Sequence, residues 1–211
     1  MLPVTKDPET AEFALSNCCG PTLSQIRVLE ICTGLKDGSF ICASAGDDSK
    51  SDRCISIWDI RTGTLVKRID NGSNKAIIIL YFHPIYTNLL FSVDMEFDVK
   101  LWDWETGEIQ KHWKKHHSRI IHKIELLPGT GETMVSCSGD QSLKLWDLEN
   151  DKVPQRSIHA NEPITSFVFC GSPSDPTQQK IVISLSYSIR IYKLRTLGMI
   201  HNIPLKELKE K

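Results

Sequence analysis

The stretch "LKLWDL", residues 143–148, alternates apolar residues with a lysine and stops on Trp146-Asp147. The same six-residue shape stands at 55–60 as "ISIWDI" and at 99–104 as "VKLWDW". A fourth copy, "IRIYKL" at 189–194, carries Tyr192 and Lys193 in place of tryptophan and aspartate. Trp58 to Trp102 is 44 residues, Trp102 to Trp146 is 44, and Trp146 to Tyr192 is 46. A fixed period in this range marks a repeat architecture, one supersecondary unit written several times. As a strand, "LKLWDL" places Leu143, Leu145 and Asp147 on one face and Lys144, Trp146 and Leu148 on the other. Apolar residues on both faces suit a sheet held between two neighbours.

Working outward from this stretch, the third period reads as short strands broken by turn chemistry, without helix periodicity. "IIHKIEL" is a first strand, "PGTGE" a turn and "TMVSCS" a second strand. "GDQS" turns into "LKLWDL", "END" turns again, and a fourth strand follows near "PQRSIH". Four antiparallel strands cannot bury both faces alone, so the copies must stack.

Composition narrows the function classes. The chain has 211 residues, 40% of them hydrophobic, enough to build a core. Its 25 basic and 26 acidic residues nearly cancel, so no global field steers it to nucleic acid or a membrane surface. The N-terminal "MLPVTKDPETAEF" lacks the apolar centre of a signal peptide. The longest apolar run, "AIIILYF" at 76–82, is far short of a membrane span. Seven scattered cysteines form neither a disulfide framework nor paired CxxC ligands. These features predict an intracellular protein, cytoplasmic or nuclear, with reduced thiols.

The three Trp-Asp strands at even spacing resemble the WD-repeat β-propeller family, whose signature is a Gly-His pair, a period near forty and a closing Trp-Asp. The resemblance covers nearly the whole chain. It implies an all-β fold of about four four-stranded blades: 20–71, 72–115, 116–158 and a degenerate 159–204. Residues 1–19 read as an N-terminal segment, with "EFALSN" a candidate strand of a preceding blade, and 205–211 as a charged tail. Propellers of this family close at seven or so blades. The expectation is therefore a section of a larger propeller, a fragment or a short isoform. Two copies pairing into an eight-blade ring and a compact four-blade monomer are the alternatives.

The resemblance also implies a structural network of His117, Ser136, Asp140 and Trp146 in the third copy, and blade signatures at Trp58-Asp59, Trp102-Asp103 and Trp146-Asp147. The other copies depart from it. The second keeps Ser92, offers Glu96 at the aspartate position and has Gly72-Ser73 for Gly-His. The first keeps Ser44, but "GDDSKSD" lengthens the following turn, leaving Asp52 as the nearest aspartate, and Gly20-Pro21-Thr22 replaces Gly-His. His117, Ser136 and Asp140 also have the residue types of a hydrolase triad, but triads are recognised by geometry, and the family's spacing accounts for all three.

Three further stretches carry candidate chemistry. "GTGET" at 129–133 lacks the GK[ST] of a phosphate loop and reads as a hairpin turn. "KHWKKHHSRIIHK" at 111–123 is basic, with Lys114, Lys115, His116 and Arg119 as candidate contacts to an acidic peptide, nucleic acid or anionic lipid. The competing reading is a solvated strand edge whose lysines block aggregation. His112 and His116 would need a helix to share a metal, and strand and loop are expected there, so no metal or cofactor is assigned. "IWDIR" at 57–61 resembles the box by which some propellers dock on the damaged-DNA-binding adaptor of cullin-type ubiquitin ligases, with Asp59 and Arg61 as contacts.

Taken together, these stretches predict a non-catalytic protein–protein interaction scaffold. Alternatives are a cullin-ligase substrate receptor, a microtubule- or cilium-associated protein suggested by the inserted turn, and an accessory subunit of an enzyme.

Overall fold

The computed structural model describes residues 26–32, 41–46, 54–70, 75–115, 117–129, 131–149, 156–172, 175 and 177–205. Sixteen strands form within them. In the first half these are β1 (Ile26–Cys32), β2 (Ile41–Gly46), β3 (Cys54–Asp59), β4 (Thr64–Asp70), β5 (Ile77–Phe82), β6 (Leu89–Asp94), β7 (Val99–Asp103) and β8 (Glu108–Trp113). The second half adds β9 (Ile121–Leu126), β10 (Thr133–Ser138), β11 (Ser142–Asp147), β12 (Arg156–His159), β13 (Ile164–Cys170), β14 (Lys180–Leu185), β15 (Ser188–Lys193) and β16 (Met199–Pro204). They pair into four antiparallel four-stranded sheets, each in plain chain order. The chain is all-β in this sense, consistent with a β-propeller-like fold. Residues proposed as the N-terminal segment 1–19, the inserted turn with Asp52, the Gly72-Ser73 pair and His116 lie outside the described residues.

Two compact units divide at His112 and Trp113. In the first unit, Ala43, Ala45, Ile55 and Ile57 of the first sheet pack against Ile77, Leu80, Phe82 and Trp102 of the second. In the second unit, Val135, Cys137, Leu143 and Leu145 of the third sheet pack against Phe167, Ile181, Ile183 and Tyr192 of the fourth. Each fully buried large side chain contributes about 1.5–3 kcal/mol, so these two stacks carry most of the stability.

A cation ties the sheets together in each unit. Lys67 of β4 donates to the Glu105 carbonyl in the β7–β8 turn of the second sheet. Arg156 of β12 donates to the Arg195 carbonyl in the β15–β16 turn of the fourth. The two cations hold the same place in their sheets, opposite Ile57 and Leu145.

The turns after the third strands share a backbone design. Gly63 donates to the Asp59 carbonyl at 2.8 Å and Gly107 to the Asp103 carbonyl at 2.7 Å, with φ of 67° and 83°. The fourth sheet makes the same bond from Leu197 to the Lys193 carbonyl, with Leu197 at a φ of 55°. A left-handed residue is needed there to reverse the chain, and a non-glycine residue in that region costs about 1–2 kcal/mol.

Candidate functional site

The third sheet brings His117, Ser136, Asp140 and Trp146 together. Ser136 lies on β10 and Trp146 on β11, and Trp146 Nε1 donates to Ser136 Oγ at 2.9 Å. His117, on the segment leading into β9, bonds Ser136 Oγ through Nε2 and Asp140 Oδ2 through Nδ1, both at 2.8 Å. Asp140 sits in the turn between β10 and β11, where its Oδ2 also accepts the Ser118 amide at 3.1 Å. Its Oδ1 accepts the Ser142 hydroxyl at 2.6 Å and the Ser142 amide at 3.0 Å. With the imidazole proton on Nδ1, every donor points one way, from indole to hydroxyl to imidazole to carboxylate. Partial burial raises the Asp140 pKa, but the hydrogen bonds from His117, Ser142 and the Ser118 amide outweigh it. They hold the carboxyl well below the usual carboxylate range.

Ser136, His117 and Asp140 thus have the hydrogen-bond order of a hydrolase triad, and burial decides against that use. Ser136 is 1% exposed and His117 2%. The Ser136 oxygen is already shared between Trp146 and His117. No reacting carbonyl can approach it without dismantling the sheet, whereas a triad must leave its nucleophile open to substrate.

Half of this network recurs. Trp58 Nε1 donates to Ser44 Oγ at 2.9 Å, and Trp102 Nε1 to Ser92 Oγ at 2.8 Å. Lysines two residues before the tryptophans lie over their rings, Lys100 on Trp102 and Lys144 on Trp146, each 5.6 Å from the centroid. That contact rationalises the recurring Lys-Leu-Trp as a cation–π pair on one strand face. The aspartate after each tryptophan closes the next turn. Asp59 Oδ1 accepts the amides of Arg61 and Thr62, Asp103 Oδ1 that of Thr106, and Asp147 Oδ1 that of Glu149.

The second sheet differs from expectation at Glu96. Its side chain is exposed, although Phe97 at a φ of 68° and Gln141 at 70° give this turn and that of Asp140 like backbones. Buried Asp94 closes this turn instead, its Oδ1 accepting the Glu96 and Asp98 amides, while Asp98 Oδ2 bonds His112 Nε2 at 2.8 Å. In the fourth sheet the register puts Ile183 where the others have serine, beside Tyr192. The turn ahead of β15 is held from the other side: the Tyr187 amide donates to Glu162 Oε2 at 3.1 Å.

Of the candidate partner contacts, Arg61 is exposed in the β3–β4 turn, and Lys114, Lys115 and Arg119 are exposed on the segment between β8 and β9. Asp59 Oδ1 is engaged by its own turn, while Arg61 is exposed. The "GTGET" stretch connects β9 to β10, with Gly129 and Gly131 at φ of 96° and 65°. Cys137 sits in the core, where burial pushes its thiol up to about 12 with Lys123 only partly opposing. Among the described residues no cluster of three or more His, Cys, Asp or Glu side chains could hold a metal ion, and no helix is long and apolar enough to cross a membrane. No protein-family model and no curated protein gives a significant match to the chain.

Proposed function

We propose that the chain is a set of WD-repeat β-propeller blades serving as a non-catalytic platform for protein partners. One observation carries this reading: three sheets at a 44-residue spacing each end their third strand on a tryptophan bonded to a neighbouring serine, followed by an aspartate that closes the turn. These side chains are spent on holding the sheets. What remains for recognition is the loop surface, which a rigid scaffold presents in fixed geometry. Lys114, Lys115 and Arg119 are exposed basic residues on it, suited to an acidic peptide surface.

Quantitative affinity capture from cells tests the proposal, comparing wild type with the triple variant Lys114→Glu, Lys115→Glu, Arg119→Glu. Specific protein partners should be retained by wild type and lost by the variant, with the melting temperature unchanged because all three side chains are exposed. An identical partner set for both would refute the basic segment as the docking face. Arg61→Ala serves as a second arm, since the exposed Arg61 is what the cullin-ligase receptor reading rests on. Loss of a ligase adaptor with that variant alone would favour the receptor.

A further inference from the structure

The segment joining β8 to β9 places one exposed hydroxyl residue against the polar network of the third sheet. Ser118 is exposed and directly follows buried His117. Its amide donates to Asp140 Oδ2 at 3.1 Å, the same oxygen that bonds His117 Nδ1. A surface serine thus shares an acceptor with a chain of bonds that runs inward to Ser136 and Trp146.

Basic residues flank this serine. Lys114 and Lys115 stand four and three places before it and Arg119 one place after, and all three are exposed. Serine kinases choose acceptors by such charge patterns, and a kinase whose peptide groove carries carboxylates at those places reads this spacing. Thr196 is a rival, exposed with Lys193 three places and Arg195 one place before it, but its hydroxyl already accepts the Gly198 amide at 3.3 Å.

We propose that Ser118 is a phosphoacceptor for a basophilic serine kinase, and that its phosphate loosens the Ser136–His117–Asp140 network. The Ser118 oxygen attacks the γ-phosphorus of the nucleoside triphosphate that the kinase holds. A new phosphorus–oxygen bond forms as the bond to the β–γ bridging oxygen breaks. The serine proton passes to the kinase's base, and the nucleoside diphosphate leaves.

Two forces then act on a phosphate of about −1.5 to −2 charges. Lys114, Lys115 and Arg119 attract it, but ion pairs at exposed side chains are worth little because solvent screens them. Asp140 repels it, and the Asp140 side chain is only 9% exposed. Covalent reach from the Ser118 amide keeps the phosphorus within about 8 Å of Asp140 Oδ2, no more than a Debye length at physiological salt. A partly buried charge is screened less than an exposed one, so the repulsion prevails. It weakens the bonds that Asp140 takes from the Ser118 amide and His117.

The coupling runs both ways. A kinase groove takes its acceptor segment extended, so the bonds from His117 to Ser136 and Asp140 must open first. The network therefore restrains phosphorylation through the cost of local opening, and the phosphate in turn opposes closure. None of this depends on which partner docks on the basic segment.

The test is to incubate the full chain with magnesium ATP and a purified kinase that selects a basic residue three places before serine. Fragmentation mass spectrometry then locates the phosphate. It should appear on Ser118, and several-fold more slowly in the double variant Lys114→Ala, Lys115→Ala. The phosphorylated chain should melt below the unmodified one. In Asp140→Asn, which keeps an oxygen for the Ser118 amide but no charge, phosphorylation should run several-fold faster and the melting difference should shrink. No phosphate on Ser118, a preference for Thr196, or a rate indifferent to the two lysines would overturn the acceptor assignment. A phosphorylated chain that melts at or above the unmodified one would overturn the coupling to the network, as would a rate and melting difference unchanged in Asp140→Asn.

Discussion

The third and fourth sheets share a strand order and a common core, yet they fill the space beneath their third strands in opposite ways. The third threads a polar chain from Trp146 through Ser136 and His117 to Asp140. The fourth fills the same space with Ile183 and Tyr192 and moves its carboxylate from the turn to the preceding loop, as Glu162. Removing one partner of a buried hydrogen bond is costly, whereas replacing all partners by apolar groups of matching shape can be nearly neutral. The two sheets are two self-consistent solutions, and mixtures of them are penalised. Ser188 marks where the fourth sheet stops short of consistency. It stands at the place of Ser142, but its Oγ is buried with no hydrogen-bond partner, whereas Ser142 bonds Asp140.

Crossing the two solutions should break them. Ile183→Ser is expected to cost most, about 2–5 kcal/mol in urea unfolding, since it opens a cavity and inserts a hydroxyl beside a tyrosine instead of a tryptophan. Ser136→Ala comes next at about 1–3 kcal/mol, because it orphans Trp146 Nε1 and His117 Nε2 together. A smaller pair sharpens the contrast: Ser142→Ala should lose about 1 kcal/mol with its bond to Asp140, while Ser188→Ala should be neutral or stabilising. Equal losses at 142 and 188 would mean that the two serines do the same job.

The smallest effect expected is in acid. The folded Asp140 carboxyl titrates below its unfolded value of about 3.9, so protonation favours unfolding. Its contribution is complete above that value and fades as pH falls through the folded one. Asp140→Asn should therefore flatten the stability profile below about pH 4 relative to wild type, measured by chemical denaturation at successive pH values.

The residue pattern revealed the strands because their signals are periodic, whereas the tryptophan–serine network was legible only as what the family resemblance implied. "LKLWDL" and its copies became β11, β3, β7 and β15, and Ser44, Ser92 and Ser136 each accept a tryptophan. Features that depend on strand register and on which side chains meet in a turn were hidden. Glu96 has the spacing of Asp140, but its side chain is exposed and Asp94 holds the turn. Ile183 was masked by the serines of "SLSYS", and only register shows which residue faces Tyr192. The Lys67 and Arg156 links end on carbonyls, which carry no sequence signature.

The most direct test is a double-mutant cycle on His117→Ala and Trp146→Phe, read by urea unfolding at neutral pH. The two residues meet chiefly through the Ser136 hydroxyl, their rings lying 6.5 Å apart edge to face. A single cooperative network gives a coupling of about 0.5–3 kcal/mol. Additive losses, agreeing within about 0.3 kcal/mol, would contradict it and reduce the third sheet to apolar stacking with incidental polar contacts.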